Sequence, residues 1–289
     1  MKIKKKILVI PIMVILLFVI PQQALAYDHV IDGKLDDWGL SKLYTGDWSK
    51  NDTWVPDLPG IRFVVEDNYD KDSEQYTNYV GVHIVGVSPS YTYYDEPYQE
   101  PIGEELYDIE AMYVDENDTH IFIALVVSAP SWAIGDLALN LDANTATGGY
   151  GYEFGVKLNT ESGILYGIYE TPTDNCWTEP VHGPAKAPAT IDINNATYTG
   201  KKAIGAWVDM GVLDWNMKNY VIELAIPKTA VGMSVGQKLT DAPLPKVIRI
   251  CEPCGNEDVP ITIPEFMTML IPMMSIIAIA AYVVRIRLK

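Results

Sequence analysis

Five carboxylates have the spacing to do chemistry. Asp108 and Glu110, two apart in an extended stretch, project to the same side of a strand. Asp136, Asp142 and Glu153 fall at the ends or in the middle of neighbouring strand-like segments. Calcium takes about six to eight oxygen ligands, several of them carboxylates. A structural calcium ion assembled from distant segments is therefore the chemistry these residues offer, since no loop has the EF-hand spacing. Carboxylates buried together without a cation repel one another. The alternative is that they face solvent at a sheet edge.

Aromatic rings offer a second chemistry, because their flat apolar faces stack on the apolar faces of sugars. Trp38, Trp177 and Trp215, together with Tyr93 and Tyr94 in the acidic, proline-containing stretch 88–106, are the candidates for a glycan platform. Adhesive contact or loop packing accounts for such rings equally well. Trp38, behind two acids, also reads as a staple pinning the start of the domain.

Catalytic signatures are missing. His29, His83, His120 and His182 share no spacing, and neither a Gly-x-Ser-x-Gly nor a His-Glu-x-x-His motif occurs. Paired acids are too common in so acidic a chain to mark a glycosidase. Met112 and His83 are available as haem ligands, but nothing singles them out. The three cysteines permit one bridge and leave one thiol. Cys251-Glu-Pro-Cys254 has no second pair to complete a zinc ribbon. A structural disulfide from Cys176 to Cys251 or Cys254 is favoured over the vicinal pair. Asn51, Asn117 and Asn195 each open an Asn-x-Thr glycosylation sequon.

The elements that must position these residues are strands. Ile61–Glu66, Tyr79–Val87, Asp108–Val114 and Thr119–Val127 are rich in β-branched and aromatic residues and are separated by Gly, Pro, Asn and Asp. Ile109, Ala111 and Tyr113 are expected on one face, with Asp108, Glu110, Met112 and Val114 on the other. Residues 108–127 read as a hairpin turning at Asp115–Asp118. Asp136–Asp142 alternates, Tyr152–Leu158 follows a Gly-rich turn, and further strands are expected at 164–169, 203–210, 219–226 and 247–251. No segment of this region sustains a helical period. The expected fold is all-β: an antiparallel, jelly-roll-like β-sandwich of about ten strands, one face of each sheet buried, with 88–106 an exposed loop.

The ends differ from this middle. Lys2, Lys4, Lys5 and Lys6, an uncharged apolar run from Ile7 to Ile20 and a small-x-small site ending at Ala26 read as a secretory signal peptide over 1–26. An uncleaved anchor is the alternative. The ectodomain is then expected over 27–258 and a linker over 259–265. Phe266–Val284 is uncharged and long enough to span a membrane as a helix of about 28 Å. Arg285, Arg287 and Lys289 follow as a basic cytoplasmic tail over 285–289. Between the ends, residues 27–264 carry 14 basic and 37 acidic residues, a net of −23. That charge excludes nucleic acid as a partner.

Two resemblances sharpen this picture. Ile263-Pro264-Glu265-Phe266, the apolar span and the basic tail resemble the PEF-type C-terminal sorting signal of archaeal surface proteins. This implies an archaeosortase, a membrane cysteine transpeptidase, that cuts near Pro264, Glu265 and Phe266 and transfers the protein to a lipid. Ile31-Asp-Gly-Lys-Leu-Asp-Asp-Trp38 and Tyr220-Val-Ile-Glu-Leu-Ala-Ile-Pro227 are similar to the opening and a late strand of family-9-type carbohydrate-binding modules and DOMON-like sandwiches. That likeness implies about ten strands, sugar binding in some members and often a structural calcium. The aromatic pair that clamps sugar has no assigned counterpart here, and Asp47–Asn78 has no place on the template. The expectation is a non-catalytic, membrane-anchored surface protein that binds carbohydrate or envelope components. The alternatives are a structural or adhesive envelope protein without a small ligand, and an extracellular haem-binding redox domain.

Overall fold

The computed structural model describes residues 27–46, 48, 50–67, 82–93, 108–181, 186–214, 217–241, 245–253 and 258–263. The signal peptide, the apolar C-terminal segment, the basic tail, Pro264, Glu265, Phe266, Trp215, Tyr94 and Cys254 lie outside them, as does the side chain of Tyr93. No helix among the described residues is long and apolar enough to cross a membrane.

The described residues form β1 (Arg62–Asp67), β2 (Val82–Val87), β3 (Ser90–Tyr93), β4 (Ala111–Glu116), β5 (His120–Val127), β6 (Leu137–Asn140), β7 (Phe154–Val156) and β8 (Gly167–Glu170). There follow β9 (Trp177–Thr178), β10 (Thr190–Ile191), β11 (Thr197–Lys202), β12 (Ile204–Asp214), β13 (Met217–Pro227), β14 (Lys246–Cys251) and β15 (Asp258–Ile263). A seven-stranded sheet runs β12-β13-β5-β4-β1-β2-β3, and a six-stranded sheet runs β11-β8-β7-β6-β14-β15. The β9–β10 hairpin stands apart, and the ladders of all three sheets are antiparallel. The all-β, two-sheet expectation is met, with fifteen strands among the described residues rather than about ten.

Alternation along the strands explains the layers. Val64, Met112, Val114, Ile123, Leu125, Ile222 and Leu224 face the second sheet and meet Leu137, Leu139, Val156, Ile168, Ile248 and Val259 in the main core. Their neighbours Phe63, Val65, Ala111, Tyr113, Ala124, Val126, Val221 and Ala225 point the other way. They are covered by Leu35, Trp38, Leu40, Leu43, Trp48, Trp54 and Ile61 from the segment before β1. The first sheet is thus buried on both faces, not on one, and the Asp47–Asn78 region begins as part of its cover. Burying rings such as Trp38 and Trp54 contributes about 2–3 kcal/mol each. Ala138, Tyr152 and Tyr169 on the outer face of the second sheet carry a smaller cluster with Cys176, Trp177 and Ile191.

Three local expectations are corrected. The stretch read as a loop from 88 contains β3, paired with β2 across a two-residue turn at Ser88-Pro89. Ile109 packs with Met112 and Val114 rather than with Ala111 and Tyr113, because the pleat begins only at Ala111. The segment read as a linker opens with β15, whose Val259, Ile261 and Ile263 are buried in alternation. Its Pro260 is tolerated because β15 pairs on one side only.

Candidate functional site

The N-terminal cover is tied down through one carboxylate. Glu223 lies mid-way along β13 and is fully buried. Its Oε2 accepts from Asp32 N at 3.0 Å and Gly33 N at 2.5 Å, and its Oε1 accepts from Trp38 Nε1 at 2.8 Å. Gly33 is at φ +78°, and a Cβ there would run into Val208 on β12. Burial pushes the Glu223 carboxyl above its ordinary range, opposed by the Trp38 and Gly33 donors. His29 stacks on Trp38 with centroids 3.9 Å apart, and its Nε2 lies 2.9 Å from Asp115 Oδ2. Trp38 is therefore the staple of its alternative reading and presents no face to a ligand.

The five carboxylates expected to gather around calcium do not converge. Asp136 is fully buried and already satisfied: Lys157 Nζ donates to it at 2.7 Å, as do Leu158 N, Asn159 N and Ile191 N at 2.7, 2.9 and 2.7 Å. Burial raises its pKa, and the Lys157 ammonium pulls the other way. Asp142 and Glu153 share a hydrogen bond elsewhere, on the loop between β6 and β7. Glu153 is pushed up to about 7, first by burial and then by Asp142. Burial would raise Asp142, but hydrogen bonds from Glu153, Thr147 and the Asn144 amide outweigh it and hold the group low. Asp108 and Glu110 are buried before β4, where Glu110 Oε1 accepts from Ser128 Oγ at 2.7 Å and Asn219 Nδ2 at 3.1 Å. Among the described residues no three His, Cys, Asp or Glu side chains are grouped to hold a metal.

The cysteine expectation is also corrected. Cys176 is a buried free thiol, its Sγ donating to the Asn195 carbonyl at 3.4 Å and lying 3.6 Å from Thr173 Oγ1. No bridge joins it to Cys251 at the end of β14, whose Sγ donates to the Glu252 carbonyl at 3.8 Å. Met112, weighed as a haem ligand, packs in the main core, and the side chain of His83 lies outside the described residues.

What the structure does bring together is aromatic. Trp177 on β9 is only 5 % exposed and lies flat along the outer face of the second sheet. Two glycines make room for it. A Cβ on Gly155 would come within 2.7 Å of its Cη2, and one on Gly149 within 2.7 Å of its Cδ1. At that Gly149 end the indole Nε1–H is buried and has no acceptor. The next residue, Tyr150, is half-buried with φ 53°, and its backbone N donates to Asp174 Oδ1 at 2.7 Å. Its hydroxyl donates to the exposed Glu179 Oε1 at 2.8 Å. Burial first, then the Glu179 bond, pushes the Tyr150 phenol up to about 12. Tyr152, Tyr169 and Tyr198 continue the aromatic layer, with Tyr169 and Tyr198 at 5.4 Å.

Of the expected platform residues whose side chains are described, Trp38 and Trp177, only Trp177 sits here. Tyr150 and Glu179 escaped the sequence reading. Both lie outside the strands, Tyr150 in a turn with its backbone in the left-handed region, where no strand or helix period marks a residue. Trp132, another turn tryptophan, is 51 % exposed, and its carbonyl accepts from Asn159 Nδ2. Compared with models of known protein families and with curated proteins, the chain matches none.

Proposed function

We propose that the chain is an exported, surface-held β-sandwich that binds carbohydrate and does not transform it. The observation that carries the reading is the Tyr150–Glu179–Trp177 group. It joins an aromatic face, an exposed carboxylate and a buried indole N–H without an acceptor. A sugar ring needs those three things: an apolar face to stack on, an acceptor for its hydroxyls and a donor for its oxygens. The similarity of the 31–38 and 220–227 segments to carbohydrate-binding sandwiches supports the same reading, as do the leader over 1–26 and the membrane-length segment 266–284. The protein is then held by that segment, or by lipid after archaeosortase-type processing at Pro264–Phe266.

The test is binding of the native full-length protein to a glycan array, followed by calorimetry on the best ligand. Tyr150→Ala and Glu179→Gln are expected to weaken binding at least about tenfold each, the equivalent of 1.4 kcal/mol. Absence of glycan binding at millimolar concentration overturns the reading and leaves a structural or adhesive envelope role.

A further inference from the structure

The three Asn-x-Thr sequons are chemically equivalent in sequence and very different in the fold. Asn51 opens a single helical turn, Asn51–Trp54, whose Thr53 is buried. Drawing that tripeptide into an extended shape would pull on Trp54, whose indole donates to the Trp48 carbonyl and whose own carbonyl accepts from Tyr113 Oη. Asn117, in the β4–β5 turn, has both ends of its amide engaged. Its Oδ1 accepts from Thr119 N, Thr119 Oγ1 and His120 N at 2.8, 3.1 and 2.7 Å, and its Nδ2 donates to Asp28 at 2.7 Å. Asn195 is exposed in the turn before β11; its side chain makes one hydrogen bond, Nδ2 to Oδ2 of the half-buried Asp192 at 2.7 Å, while its N donates to the Asp192 carbonyl and its carbonyl accepts from Cys176 Sγ. Its Thr197 is exposed at the first position of β11. β11 is an edge strand bonded only to β8, so its other side is open; Asn195 and Ala196 lie in the turn ahead of it with their N–H groups on the Asp192 carbonyl, and an enzyme has to open that surface turn to extend the tripeptide.

We infer that Asn195 is the acceptor for N-linked glycan transfer onto the folded domain, and that Asn51 and Asn117 are refractory once the chain has folded. The donor is a lipid-linked oligosaccharide phosphate. A bond forms between Asn195 Nδ2 and the sugar C1, the C1–O bond to phosphate breaks, the phosphate leaves with the electron pair, and Nδ2 gives up one proton. The inference rests on the export reading only for its setting, because the selectivity belongs to the fold.

The experiment uses the chain purified in unglycosylated form and incubated with a membrane oligosaccharyltransferase and a lipid-linked oligosaccharide, with glycopeptide mass spectrometry as the readout. Folded protein is expected to be modified at Asn195 at least about tenfold faster than at Asn51 or Asn117. Short peptides carrying each sequon should be modified at comparable rates. Thr197→Val removes the reaction from folded protein without touching the core. Equal modification of the three sites in folded protein overturns the inference, as does a bare Asn195 where its peptide reacts. N-terminal sequencing of native protein separates the two readings. A chain that retains Met1 removes the export setting and leaves the in vitro selectivity to stand or fall by itself.

Discussion

Trp38 Nε1 donates to Glu223 Oε1 at 2.8 Å across 185 residues of sequence. The segment 31–38 ahead of β1 and the segment 220–227 in β13 are thus the two halves of a single contact. Glu223→Ala would leave the Asp32, Gly33 and Trp38 donors without an acceptor and is expected to cost about 3–5 kcal/mol of stability. Trp38→Phe keeps most of the packing and should cost about 1–2 kcal/mol. Urea unfolding monitored by tryptophan fluorescence measures both, and a Glu223→Ala variant within 1 kcal/mol of wild type would remove the latch.

Gly33 carries a backbone constraint of its own. At φ +78° and against Val208, it has no room for a side chain. Gly33→Ala is expected to lose about 2–4 kcal/mol, the left-handed backbone accounting for about 1 of these and the overlap for the rest. Val208→Ala in the same chain should recover part of the overlap cost and none of the backbone cost. A single variant as stable as wild type would show that the hook does not dock against β12.

The Asp136–Lys157 pair predicts a pronounced asymmetry. Removing either partner leaves a buried charge, so Asp136→Ala or Lys157→Met alone should destabilise by about 3–5 kcal/mol. Asp136 variants should suffer more, since three backbone amides lose their acceptor too. In a double-mutant cycle the two changes together should cost clearly less than their sum. Strict additivity would mean that the pair is not coupled.

Glu66 and Glu153, like Glu223 and Asp136, have pKa values raised by burial and so tie stability to pH. Burial first, then Asp258, raises Glu66 to about 7, and burial with Asp142 does the same for Glu153. An unfolded glutamate titrates near 4.5. Between these values the folded chain holds more protons than the unfolded one. The stabilisation from both groups is therefore complete below about 4.5 and is lost as pH rises through about 7. Melting temperature should fall from pH 5 to pH 8, and Glu66→Gln with Glu153→Gln should flatten that slope. A slope unchanged in the double variant would assign the effect to other groups.

Much of the fold was legible because it is written locally. The β4–β5 hairpin shows itself as two apolar runs around Asp115–Asp118, and β6 as the alternation of Leu137 and Leu139 with polar ends. β9, β10 and β11 escaped notice because two-residue strands carry no period, and Thr197–Lys202 is polar on both sides. The site was harder still. Asp136 has the spacing of a metal ligand in the sequence, yet its partner is Lys157 at 2.7 Å, and nothing in the intervening 20 residues announces that pairing. Gly149 and Gly155 are the floor beneath Trp177, a fit that exists only after the strands pair.

The last strand has a mechanical meaning. β15 is held to β14 by a six-pair ladder from Lys246↔Ile263 to Cys251↔Asp258, and at the far end Asp258 is clamped by Arg249. Any tension arriving along the chain from residue 264 onward loads this ladder first. Pulled along its axis, β15 shares the load across every rung at once. Pulled sideways, it opens rung by rung from Ile263, with the Arg249–Asp258 clamp as the final catch before force reaches the two packed sheets.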